Sequence, residues 1–248
     1  ACSIRACRLA LLLTLLSLGA CGVSDSADRD NDREYNVHFT LSPDPATSSV
    51  RVTLRVRQPS GLLRELSFPA TRTIDDVRGD GQLSTDSGLV RWMPAPAGGT
   101  LSWRVKVNNE RNGDGYDAYL GREWGVFRLE DVIPRARTRT LRGAASVTTM
   151  QFDLPAGWSA ISEYSAVNQP IAVDRPGRRY DEPAGWLAIG EIGVRRENIA
   201  GTRVAIAGPE GHGVRRMDML ALLNWTLPEL NAVLPDALPR LTVISAGE

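Results

Sequence analysis

The sequence predicts a mainly β protein, an antiparallel β-sandwich followed by the beginning of an α/β unit. Three observations lead there. Residues 35–41 and 50–56 alternate apolar and polar with period two, the mark of strands with one buried face. The 23 Gly and 15 Pro punctuate the chain into short segments, as a sandwich requires. After residue 206 the apolar spacing changes to steps of three and four, which is helical.

The first segment reads as an export signal. Arg5 and Arg8 precede the uncharged run 9–18, about half the ~20 residues a spanning helix needs. Leu18, Gly19, Ala20 and Cys21 resemble a bacterial lipobox, which implies cleavage after residue 20 and a lipid on Cys21. Gly22 follows the Cys where Asp would signal inner-membrane retention, so the expected location is the periplasmic face of the outer membrane. Cleavage removes Cys2 and Cys7 and leaves no free thiol. It also takes Arg5 and Arg8 from the 29 basic residues, leaving 27 against 29 acids and a net charge of −2. Residues 21–34 are then the lipidated Cys and a polar tether.

Residues 35–206 are assigned to the sandwich. Beyond the two alternating strands, candidate strands are 62–68, 89–93, 101–107, 147–154, 185–192 and 202–206. Residues 207–248 are assigned to a truncated α/β unit. Leu220, Leu223, Leu227, Leu230 and Leu234 form a helical stripe, and 241–245 reads as a strand. Pro228 sits inside the stripe. Thr226 and Glu229 have capping-box spacing, so a second helix is expected to start there.

Composition narrows the chemistry. A formal net charge of +0 gives no field to steer nucleic acid, so none is expected as a partner. His38 and His212 are the two His, too few for a zinc site without thiols. No metal or catalytic residue is therefore assigned on this chain. Lys106 is the single Lys, which leaves one candidate for Schiff-base chemistry. The adjacent pairs Asp75, Asp76 and Glu130, Asp131 read as turn acids, because adjacency on a strand points side chains to opposite faces. Residues 108–115 are oxygen-rich but lack the closing Glu of a calcium loop, and read as a long hairpin loop.

Two constellations remain as candidate ligand-binding residues. Tyr116, Tyr119 and Trp124 cluster with Phe127 around glycines, either as an aromatic platform or as packing between domains. Arg135, Arg137 and Arg139 share strand parity, either as a solvated outer face or as a site for an anionic partner.

Residues 147–158, 185–190, 195–202 and 214–245 together resemble the amino-terminal part of the glycyl-aminopeptidase-like, PDZ-containing metallopeptidases, relatives of aminopeptidase N. In that group a sandwich precedes a thermolysin-like zinc domain. The group's His-Glu-x-x-His is absent here, since neither His38 nor His212 is followed by Glu. The resemblance implies a non-catalytic part that shapes a substrate cleft. Zinc and the peptide substrate belong to the full-length protein, and the membrane is a partner through the lipid. The alternative is a stand-alone cell-envelope binding lipoprotein.

Overall fold

A computed structural model describes residues 33–111, 115–164, 169–173, 179–234, 236 and 238–246, without the side chains of 110–117. The leader, Cys21 and the tether up to residue 32 lie outside them. Glu34–Glu248 form one compact unit.

The protein is mainly β. Its largest sheet has six strands: β1 (Glu34–Asp44), β2 (Ser49–Arg57), β4 (Ile74–Gly79), β7 (Gly98–Lys106), β12 (Ala145–Phe152) and β14 (Ile171–Val173). They lie in the order β14-β12-β1-β2-β7-β4. Alternation builds this sheet directly. Tyr35, Val37, Phe39 and Leu41 on β1 are buried, as are Val50, Val52, Leu54 and Val56 on β2. The register sets Phe39 opposite Leu54 and Val37 opposite Val56, so both strands turn their apolar sides to one core. Gly98 has φ +108, and a Cβ there would stand 2.1 Å from the Val56 carbonyl oxygen. Only glycine allows β7 to begin that close to β2.

A four-stranded sheet is ordered β11-β3-β6-β5, from β3 (Leu63–Pro69), β5 (Gln82–Asp86), β6 (Leu89–Met93) and β11 (Arg137–Thr140). A five-stranded sheet is ordered β13-β15-β10-β9-β8. Its strands are β8 (Asn109–Arg111), β9 (Gly115–Leu120), β10 (Trp124–Arg128), β13 (Ser159–Ser162) and β15 (Trp186–Gly190). Side chains from all three sheets interlock in one core cluster. At its centre Trp103 of β7 meets Phe68 of β3, ring centroids 5.1 Å apart. The Trp103 indole N–H donates to the carbonyl of Val132, in the single-turn helix α1 (Leu129–Val132), at 2.8 Å.

Most pairings are antiparallel, as the alternation predicts. β1 and β12, however, run parallel. One hundred residues, 45–144, connect them, so no hairpin constrains their direction.

A three-stranded sheet closes the chain, from β16 (Ile192–Ile199), β17 (Thr202–Pro209) and β18 (Arg240–Ile244). β17, the helix α2 (Arg216–Val233) and the parallel β18 make the strand-helix-strand unit read in the sequence. β17 runs across the expected boundary at residue 206.

The helix differs from expectation. It is continuous through Pro228, and no second helix starts at Thr226. The Thr226 hydroxyl instead donates back to the Leu222 carbonyl at 3.0 Å. Leu220 and Leu227, both ahead of Pro228, bury together against Ile199, Val204 and Ile206. Beyond the proline the Asn231 amide donates to the Ala200 carbonyl at 3.2 Å, so the helix is tied to its sheet on both sides of Pro228. Leu230 and Leu234, expected in the buried stripe, are exposed.

Candidate functional site

A groove of about 690 Å³ lies between the sandwich and one face of the three-stranded sheet. Strand register builds the sheet wall as three rungs. Val194, Ala207 and Ile244 form the first, Arg196, Ala205 and Thr242 the second, and Asn198, Arg203 and Arg240 the third. Side chains directly opposite each other share a face, so this face grades from apolar to cationic within three rungs. The apolar rung packs on Ile161, Ala188 and Trp124, and seals that end. The groove opens along the other two. Leu154, Trp158, Ile161 and Tyr164 line the sandwich side.

Three guanidinium groups border the groove: Arg196, Arg203 and Arg240. The Arg240 guanidinium reaches across and donates to the backbone carbonyl of Glu163. The Glu163 side chain lies against Gly185, where a Cβ would come within 2.7 Å of its carboxyl carbon. Among the described residues no carboxylate pairs with Arg196 or Arg203.

The aromatic candidates are placed differently. Tyr119 and Trp124 meet at 4.6 Å between ring centroids, tilted by 47°. Trp124 also meets the His212 ring edge-on at 5.8 Å. Gly121 permits the cluster, since a Cβ there would sit 2.0 Å from the Tyr119 hydroxyl oxygen. Trp124 packs at the seam between the five-stranded and three-stranded sheets. The side chain of Tyr116 lies outside the described residues.

Of the basic candidates, Arg137 and Arg139 share the exposed face of β11, while Arg135 precedes the strand. Arg139 pairs with Glu65 at 3.2 Å, and Arg91 holds the other oxygen of the same carboxylate at 3.1 Å. Arg135 lies 3.8 Å from the buried Glu182 carboxylate.

His38 sits on the outward parity of β1, half-buried rather than exposed, and its Nδ1 is 2.8 Å from the Thr149 hydroxyl. Partial burial, then the nearby Arg55 and Arg57, lower its pKa. The acid pairs hold structure. Asp75 binds Arg104 at 2.8 Å, and Asp76 binds Arg51 at 2.7 Å and Arg78 at 2.8 Å. The hydrogen bond from Arg51 is the leading cause that holds the Asp76 carboxyl below its ordinary range. Glu130 accepts the Gly185 N–H at 2.8 Å. Among the described residues no three His, Cys, Asp or Glu side chains are grouped to hold a metal ion. The zinc implied by the resemblance finds no ligand set on them.

The groove arginines were not singled out in the sequence. Residues 192–199 lack apolar alternation, so β16 gives no period-two signal. Arg203 and Ala205 do alternate with Val204 and Ile206 on β17, which is enough to place them on the face away from the helix.

The architecture defines the class first: a mainly β protein in which a sandwich carries a terminal strand-helix-strand unit. No family model matches the chain, and no curated protein matches it in sequence. Among solved structures, its fold is similar to that of an aminopeptidase N family protein from Idiomarina loihiensis, with a TM-score of 0.57 and 13% sequence identity. The similarity covers 85% of this chain and 39% of that one. The chain thus spans well under half the length of the structure it matches, and at this identity the likeness is one of fold.

Proposed function

We propose that this chain is the non-catalytic amino-terminal part of an exported, lipid-anchored zinc aminopeptidase-like protein, and that its sandwich shapes the substrate cleft. The observation that carries the reading is the outer face of α2. Trp225 is 83% exposed, Val233 77% and Leu222 63%. A helix that seats Leu220 and Leu227 on its own sheet while offering Trp225 and Leu222 to the other side is built to be covered on both sides. The fold shared with part of an aminopeptidase N family protein supports a further domain as the cover. In this reading that domain supplies the zinc ligands and the general base, the peptide is its substrate, and Cys21 bears the lipid.

A longer product of the same reading frame is expected to bind one zinc per chain and to hydrolyse an aminoacyl reporter, with activity lost on chelation. A longer product that binds no zinc contradicts the peptidase reading. Anchoring is tested separately: Cys21→Ser is expected to move the protein from the membrane to the soluble fraction and to abolish lipid labelling. A wild type without lipid contradicts the anchor.

The second reading is a stand-alone cell-envelope binding lipoprotein. The cationic groove favours it, because a binding protein needs a formed concavity of this size.

A further inference from the structure

We infer that the groove between the sandwich and the three-stranded sheet binds a small amphipathic anion, whose oxyanion head lies on Arg196 and Arg203 and whose apolar body lies on the Leu154, Trp158 and Ile161 wall. The inference does not depend on the peptidase reading, since every residue in it belongs to this chain.

Size is the first argument. A volume of about 690 Å³ lies within the ~300–1,000 Å³ of small-molecule sites, and is too small for a folded partner. Charge is the second. Arg203 and Arg240 stand directly opposite each other on adjacent parallel strands, and Arg196 lies one rung away on the same face. Like charges opposed across a sheet repel. Arg240 is tied to the Glu163 carbonyl, which accepts a hydrogen bond but cancels no charge. Glu197 borders the groove too, but its register partner is Val204, so it belongs to the face that carries α2. The repulsion is left for a ligand to relieve, and the planar fork of Arg suits a carboxylate or a phosphate.

The opposite wall is the third argument. Trp158 and Leu154 are half-buried apolar side chains on the rim of the main core, facing the cationic rungs. Ala205 sits in the middle of the sheet wall, where a larger residue would fill the gap. A purely polar anion would leave the apolar wall wet, and a purely apolar ligand would leave the arginines unpaired. An anion on an apolar chain or ring satisfies both.

The test is calorimetric titration of the whole chain carrying Cys21→Ser, so that no acyl chain of its own competes. Decanoate and decyl phosphate are the probes, with decanol and acetate as the head-less and tail-less controls. At least one anion is expected to bind one per chain, at least tenfold more tightly than either control, and to weaken with added salt. Preference between the two anions assigns the head group. R196E/R203E is expected to weaken that anion at least tenfold without lowering the thermal midpoint, since both side chains are exposed. R196Q/R203Q repeats the test if the reversed charges prevent folding. Ala205→Leu, which keeps every charge, is expected to weaken the anion by filling the groove. Equal binding of decanol, no saturable binding of either anion, or unchanged affinity in the arginine variants would overturn the assignment.

Discussion

The sandwich and the terminal unit bury their apolar residues by different rules. In the sandwich, Trp92, Trp103, Phe39 and Phe68 are enclosed on all sides by three sheets. In the terminal unit, the sheet is covered on one face by α2 and on the apolar part of the other by the sandwich, while the outer side of α2 faces water. The sandwich therefore satisfies itself. The terminal unit satisfies its sheet but not its helix. A chain that can bury four large aromatics completely leaves Trp225 on a helix surface. Among the described residues its exposed large apolar side chains gather on α2 and its C-terminal end, with Val147 and Trp186 the exceptions.

The largest effect that sharpens this contrast is expected at the centre of the sandwich. Trp103→Ala removes the indole packed on Phe68 and its bond to the Val132 carbonyl. It should cost about 3–5 kcal/mol in urea unfolding. A loss under about 1 kcal/mol would show that the three-sheet core does not carry the stability.

Arg216 comes next. At the start of α2 its guanidinium donates to the carbonyls of Gly193 at 3.0 Å, Gly208 at 2.7 Å and Pro209 at 3.3 Å, and so ties the helix to β16 and β17. Arg216→Met should cost about 1.5–3 kcal/mol, the range of hydrogen bonds to charged groups. Hydrogen exchange should speed up in residues 192–209 more than in β1 or β2. Uniform acceleration would mean that the two regions unfold as one.

Trp225→Ser should change stability by no more than about 0.5 kcal/mol, as for other surface positions, and should raise solubility. A loss above 1 kcal/mol would place Trp225 inside a core and remove the contrast between the two sides of α2.

The smallest effect concerns His38. Its folded pKa lies below the ordinary 6.5, through partial burial and the charges of Arg55 and Arg57. Its contribution to stability is therefore present above pH 6.5 and is lost as pH falls through the folded pKa. His38→Gln should flatten the stability profile slightly on the acid side and leave it unchanged at pH 8. Parallel profiles for the two proteins would contradict this.

The two regions were also unequally legible in sequence. Strands that bury one face, such as β1, β2 and β12, announce themselves through alternation. β4 and β5 carry mostly half-buried or exposed residues and give no such signal. The strand-helix-strand order of the terminal unit was readable, but the single helix was not. Local rules break it at Pro228, which costs ~3 kcal/mol in a helix interior, and contacts to one sheet on both sides of it, Leu220 and Leu227 before and Asn231 after, override them. The candidate site was the least legible part. The sequence pointed to Tyr119 and Trp124 and to the arginines at 135, 137 and 139, residues close together along the chain. The groove instead unites Arg196, Arg203 and Arg240 through strand pairing, with Trp158 supplied by the sandwich. Spacing along the chain carries no trace of that.

The most direct test of a covering domain is the exposure of Trp225 itself. Its share of the fluorescence is isolated by comparing wild type with Trp225→Phe under iodide quenching, in the 248-residue chain and in a longer product of the reading frame. The account predicts strong quenching of Trp225 in the shorter protein and little in the longer one. Equal quenching in both would contradict a domain seated on α2.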